Sequence, residues 1–277
     1  KTCGAISIAE QFKTITKKYT TTNKTLVITS GDTISLSWRK QIFDPLKVDL
    51  GGFQCTGDTY ADIYSKKIKE RMIKDNTTEL SNDIKQRIAD KLINENYEFF
   101  GYVAFAKNLE KLEQSAIKIK PKNIKKKEAK ILMIKELFSN RVIIIDEAHN
   151  TNPNSDLMKS SKSKDENLKI FPKCIERVLR YAENTKLILL TATPINNQPK
   201  EILWLLNLLL LNDNRGTVLE EEVFNSDGSI IEPSGRDLLV KKSRGYISYI
   251  RSENPITYPL RKDPETTDTV RFYYPRP

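Results

Sequence analysis

Histidine is nearly absent from this 277-residue chain, which holds one, His149, and only three cysteines, Cys3, Cys55 and Cys174. One histidine excludes a His-rich zinc centre and leaves a single candidate for a Ser-His-Asp or Cys-His arrangement. Three scattered cysteines are too few for a disulfide framework, which predicts reduced thiols in an intracellular compartment. Long apolar runs are missing as well. The longest, Ile202 to Leu211, is interrupted by Asn207 and is about half the roughly 20 residues that a membrane-crossing helix needs, so no membrane partner is expected. No charged segment followed by an apolar one opens the chain, and no secretory signal is visible. The first residue is Lys rather than Met, which predicts a piece of a longer protein.

Positive charge, by contrast, is in surplus: 46 Lys and Arg against 36 Asp and Glu, a net charge of +10. An excess of that size favours a polyanionic partner, nucleic acid or an acidic membrane face, the alternative being a solvated basic surface. Two stretches concentrate polar residues, the lysine-rich Lys118–Lys130 and the Ser/Lys/Asn/Asp-rich Asn150–Lys169. They read as solvated loops or helix faces, with direct phosphate contact as the sharper alternative.

Hydrophobic spacing supplies the elements. Ala5, Ile8, Ala9 and Phe12 follow the i, i+3, i+4, i+7 pattern of one helix face, Ile34, Trp38 and Ile42 mark a second helix stopped by Asp44-Pro45, and Leu80, Ile84, Ile88 and Leu92 mark a third. Strands are predicted at Thr25–Thr29, Phe99–Val103, Arg141–Ile145 and Lys186–Leu190, and Ile175, Val178, Leu179 and Ala182 form a crossover helix between the last two. Strands that are unbroken apolar runs separated by helices indicate an α/β fold, a mostly parallel sheet covered on both faces, with ligand groups at the carboxyl ends of the strands.

The chemistry concentrates in Val142-Ile143-Ile144-Ile145-Asp146-Glu147-Ala148-His149. A buried strand ending in two carboxylates needs a cation or another partner at its tip. Nucleotide hydrolysis supplies one: Asp146 holds Mg²⁺ and Glu147 polarises the attacking water. The alternative is two acids stabilised by a helix dipole. The following strand ends in Thr191-Ala192-Thr193-Pro194, whose hydroxyls are placed to sense charge at the neighbouring tip. The opening Lys1-Thr2 fits the last two positions of the phosphate loop G-x-x-x-x-G-K-[ST] before a helix, with Lys1 on the β- and γ-phosphates and Thr2 on Mg²⁺. The glycine half is absent.

These pieces resemble superfamily-two helicases and translocases, whose RecA-like P-loop NTPase first lobe carries motif I, a DEAH-type motif II and a Ser/Thr-Ala-Thr motif III in this order. Asp146-Glu147-Ala148-His149 matches motif II and Thr191-Ala192-Thr193 matches motif III. Leu190 to Ile195, then Asn196 or Asn197, Glu201, Trp204, Leu206, Asn207 and Leu209, resembles the longer block of Swi/Snf-type remodellers. Gly245 to Pro255, Tyr258-Pro259 and Arg261 resemble ATPases of large cytoplasmic DNA viruses, among them the poxvirus early-transcription-factor ATPase subunit, nucleoside triphosphatase I and mimivirus-like relatives.

The resemblance implies an ATP-dependent DNA translocase or helicase acting in viral transcription, with ATP and Mg²⁺ as cofactors. Its partners would be nucleic acid, DNA before RNA, and viral RNA polymerase or transcription-factor subunits. Its location would be the virion and the host cytoplasm, in the viral factory. Asp146 and Glu147 would be catalytic, Lys1 and Thr2 would bind ATP, and His149, Thr191 and Thr193 would couple the nucleotide state to nucleic acid. Thr29 and Ser30 (motif Ia) and Tyr102 and Phe105 would touch the nucleic-acid backbone. Residues 1–215 would form the ATP-binding lobe, with a variable insertion around 51–96, and 216–277 would lead to a second lobe. The alternatives are an RNA helicase and a non-catalytic nucleic-acid-binding scaffold lobe in a polymerase complex.

Overall fold

The computed structural model describes residues 1–16, 24–155 and 166–249. The Gly245–Pro255 block continues past Tyr249, and its remainder, with Tyr258, Pro259 and Arg261, lies outside the described residues, as does the middle of Asn150–Lys169. A compact unit spans Lys1–Lys242, and a second unit begins at Ser243.

Four parallel strands form the sheet in the order β2-β1-β3-β4: β1 (Thr25–Thr29), β2 (Tyr97–Gly101), β3 (Val142–Asp146) and β4 (Lys186–Leu190). β1 and β3 are central and buried at every position, which is why they are unbroken runs of Leu, Val and Ile. The chain leaves β1 towards β2, then crosses back to place β3 on the other side of β1. In open parallel sheets the crevice at such a reversal, outside the strands' carboxyl ends, is where ligands bind.

Helices cover both faces. Leu26, Ile28, Ile143 and Ile145 pack against α6 (Tyr102–Ile119), α7 (Lys126–Phe138), α8 (Glu166–Tyr181) and α9 (Ile202–Asn212). Val27, Val142 and Ile144 pack against α1 (Thr2–Thr16), α2 (Asp32–Ile42), α4 (Asp58–Asp75) and α5 (Asn82–Asn96). Between α2 and α4, Asp44 stops one helix and starts the next. Its carboxylate accepts from Leu46 N at 3.1 Å, and Pro45 occupies the first turn of the short α3 (Pro45–Asp49), where a missing N–H costs nothing. A last helix, α10, spans Ser234–Ser243.

Three expectations are corrected. In α1 the buried residues are Ala5, Ile6 and Ala9, whereas Ile8 is 44% exposed; with two interchangeable isoleucines in the segment, spacing alone assigns the face wrongly. β2 ends at Gly101, two residues before the expected Val103, because Gly101 caps α6 and Tyr102 is already helical. Cys3 and Cys55, expected as free thiols, are joined in a disulfide. Cys174 remains a free buried thiol, and burial pushes it up to about 11.

The two isoleucines of α1 separate these readings experimentally. Ile6→Ala is expected to lower the free energy of unfolding by about 2–5 kcal/mol through the cavity it leaves. Ile8→Ala is expected to stay within about 0.5 kcal/mol of the unaltered protein in urea denaturation; the reverse ranking would refute the assigned face.

Candidate active site

The carboxyl end of β3 delivers Asp146, which is 7% exposed. A carboxylate this buried needs hydrogen-bond donors, and two reach it. The Trp38 indole N–H of α2 donates to Oδ2 at 2.8 Å, and the backbone N–H of Glu147 donates to Oδ1 at 3.0 Å. From the opposite face of the sheet, the hydroxyl of Tyr102, at the start of α6, donates to the carbonyl of Asp146 at 2.6 Å and lies 3.1 Å from that of Glu147.

At Glu147 the backbone turns into the left-handed region, φ 50° and ψ 45°, an uncommon conformation for a residue with a side chain. It swings the Glu147 carboxylate away from the line of β3 and out to the surface. There Lys1 Nζ lies 3.3 Å from Oε1, the two side chains being 43% and 32% exposed. Lys1 reaches it because its carbonyl accepts the first bond of α1, from Ala5 N at 3.1 Å, and Thr2 is half-buried in that same first turn.

The other carboxylate oxygen of Glu147, Oε2, is 3.5 Å from His149 Nδ1. That nitrogen also shares a 2.9 Å hydrogen bond with the hydroxyl of Thr191, at the end of β4, which in turn accepts from Thr193 N at 3.0 Å. A connected polar path therefore runs from Lys1 through Glu147 and His149 to Thr191 and Thr193. Beside it lies a cleft of about 60 Å³ walled by His149, Asn152, Ser155, Pro194, Asn196 and Asn197, among others.

The expected nucleic-acid contacts are placed differently. Thr29 is fully buried, its hydroxyl donating to Gly31 O at 3.0 Å and lying 2.9 Å from Ser35 Oγ. Phe105 is 1% exposed and packs among Phe100, Phe138 and Phe171. Tyr102, 2% exposed, braces the acidic turn. Of these four residues only Ser30 is exposed. An apolar residue at the start of a helix is read equally well as a core anchor or as a surface contact, and here the sheet claims it.

Sequence reasoning did not find Trp38 as the partner of Asp146, nor Tyr102 as a brace. Trp38 lay in a helical apolar pattern and Tyr102 in a predicted strand, and either pattern accounts for packing but leaves the N–H or O–H without an assigned acceptor. A buried Trp or Tyr finds a polar partner, yet nothing local says which. The segment from Leu190 to Leu209, in turn, secures the turn after β4. The Glu201 carboxylate accepts from Asn196 N and Asn197 N at 2.8 and 3.1 Å, and Trp204 Nε1 donates to Thr151 Oγ1 at 2.9 Å.

No known-family profile matches the chain, and no solved structure matches it. It is similar over nearly its whole length to helicase-named proteins of large DNA viruses, and a four-stranded parallel sheet flanked by helices is the architecture of a RecA-like helicase lobe. A protein of Acanthamoeba polyphaga mimivirus, provisionally named an ATP-dependent RNA helicase, is 29% identical over 95% of this chain and 21% of its own length. A provisionally named helicase of Frog virus 3 is 24% identical over 92% of this chain and 21% of its own. A second mimivirus protein, also provisionally named an ATP-dependent RNA helicase, is 25% identical over 94% of this chain and 37% of its own. The chain thus spans 21% to 37% of the length of these relatives.

Burial, and then the nearby charges of Asp146 and Glu147, push the Tyr102 hydroxyl above its ordinary 10.0, so it stays a donor at every pH where the protein is handled. Tyr102→Phe removes the hydroxyl donor from the buried Asp146 carbonyl, while the Glu147 carbonyl keeps its bond from Asn150 N at 2.9 Å, and is expected to cost about 1–3 kcal/mol of stability near neutrality. A raised folded-state value means that the contribution is full below the ordinary 10.0 and fades above it. The gap between variant and unaltered protein should therefore narrow above pH 10 in denaturant titrations; a gap that widens there would contradict the assignment.

Proposed function

We propose that this chain is the nucleotide-binding first lobe of an ATP-dependent nucleic-acid translocase or helicase. The observation that carries the reading is the 3.3 Å approach of Lys1 Nζ to Glu147 Oε1 across 146 positions of sequence. It gathers the ammonium, the hydroxyl-bearing first turn of α1 and the acids Asp146 and Glu147 at the carboxyl end of β3, where α/β folds bind ligands.

The residues present fit ATP and Mg²⁺. Mg²⁺ is usually bound through one or two carboxylates together with substrate phosphates and water. Asp146 would supply the carboxylate and Thr2 a hydroxyl beside it, and among the described residues no three of His, Cys, Asp and Glu converge into a metal cage. When bound, the ion neutralises charge developing on the phosphates. Lys1 holds the β- and γ-phosphates. Its ion pair with Glu147, at a partly exposed position, is worth at most about 1 kcal/mol, so a triphosphate displaces it easily. Glu147 is then free to orient the attacking water and accept its proton, while His149, Thr191 and Thr193 relay the state of Glu147 towards bound nucleic acid.

Residues 1–215 form the ATP-binding lobe in this reading, with 51–96 as a variable insertion and 216–277 as the path to a second lobe; the first part of that path, to Lys242, belongs to the same compact unit as the sheet. The substrate is DNA, on the Thr191-Ala192-Thr193-Pro194 signature and the Trp204 block, and the setting is viral transcription beside polymerase or transcription-factor subunits. RNA is the second reading, favoured by the names of two mimivirus relatives.

In the full-length protein, Glu147→Gln is expected to lower kcat for ATP by about 10²–10⁴-fold, the usual worth of a positioned base, with nucleotide affinity retained. A scaffold lobe would be indifferent to the change. Stronger stimulation of hydrolysis by RNA than by duplex DNA would reverse the substrate assignment. The isolated 277 residues are expected to hydrolyse ATP poorly, and a parent-like steady-state rate would show that no second lobe is needed.

A further inference from the structure

Trp38 presents its indole N–H to Asp146 Oδ2 at 2.8 Å across 108 positions of sequence. The ring is 1% exposed, in the layer that packs α1, α2, α4 and α5 on the sheet. A side-chain N–H in such a layer is most often satisfied by backbone or water. This one is spent on the side chain at the tip of the central strand, and the other carboxylate oxygen is already taken by Glu147 N at 3.0 Å.

We propose that Trp38 is the positioning residue for Asp146 as a metal ligand, an inference that rests on the nucleotide-site reading above. A carboxylate offers about four lone-pair directions. The two N–H donors occupy one on each oxygen and thereby lock the carboxylate plane, leaving one direction per oxygen for a cation and its waters. Both donors are neutral. An Arg or Lys in place of Trp38 would also fix the carboxylate, but it would neutralise the charge and compete with the ion. An indole N–H supplies direction and leaves the full negative charge in place. Tyr102 fixes the backbone of the same turn by the same means, through an uncharged hydroxyl at 2.6 Å from the Asp146 carbonyl. The arrangement suits a hard divalent cation, since the carboxylate is oriented by uncharged groups of the chain itself.

The test replaces Trp38 in the full-length protein with Phe and, separately, with β-(benzothien-3-yl)alanine, which keeps the bicyclic shape and exchanges N–H for sulfur. Mn²⁺ affinity is read by electron paramagnetic resonance in the presence of a non-hydrolysable ATP analogue, alongside the Mg²⁺ dependence of ATP hydrolysis. Loss of an orienting outer contact typically weakens metal binding 10–100-fold. The expected result is a rise of about tenfold or more in both the Mn²⁺ dissociation constant and the half-saturating Mg²⁺, with metal-free nucleotide affinity unchanged. The benzothienyl variant keeps the packing, so it reports even where Phe lowers stability. Mn²⁺ affinity within twofold of the unaltered protein in that variant overturns the positioning role, whatever happens to melting temperature. Absence of hydrolysis and of metal-dependent nucleotide binding in the unaltered protein overturns the nucleotide-site reading itself, a separate failure.

Discussion

A negative charge at the tip of the central strand is the constraint around which this molecule is arranged. Asp146 is nearly out of solvent, and an isolated buried carboxylate is too costly to persist. The fold meets the demand from both sides of the sheet: α2 supplies the Trp38 indole, α6 supplies the Tyr102 hydroxyl to the adjoining carbonyls, and the turn supplies its own N–H. Packing and chemistry are therefore inseparable here. The same aromatic rings that fill the two cores carry the polar groups that hold the acidic turn in shape, and the left-handed Glu147 is held by bonds to its carbonyl from Tyr102 and Asn150.

From that turn the polar groups fan outward in order of exposure. Asp146 is held by neutral donors inside, Glu147 pairs with an ammonium at the surface, and His149 connects Glu147 to the hydroxyls after β4. A gradient from fixed to loosely paired is what a site needs when one group must keep its geometry and its neighbour must exchange partners.

Much of this was legible in the residues. β1 and β4 begin and end where the apolar runs do, and the consecutive acids expected at the tip of the third strand do stand there, with Lys1 and His149 beside Glu147. What was not legible is what distance in sequence conceals. Period alone could not choose Ile6 over Ile8, because both are isoleucine and the choice depends on how α1 is rolled onto the sheet. Tyr102 and Phe105 fell on the wrong side of a strand–helix boundary, where a shift of two residues converts a strand end into a buried first turn. The bond from Trp38 to Asp146 spans 108 positions, and no local pattern anticipates it. Nor does the spacing of Cys3 and Cys55 announce that α1 and the loop before α4 meet.

That last meeting makes a covalent ring. The bond between Cys3 and Cys55 closes a span of 52 positions that contains all of β1 and α2, Trp38 included, and one of its anchors stands two residues from Lys1. In the chain-entropy picture a loop of that circumference removes roughly 4 kcal/mol of freedom from the unfolded chain. The half of the cradle contributed by β1 and α2 thus stays tethered to the start of α1 even when neighbouring elements fray. Oxidised and reduced forms of the protein would differ less in how the folded site looks than in how far its parts wander when it opens.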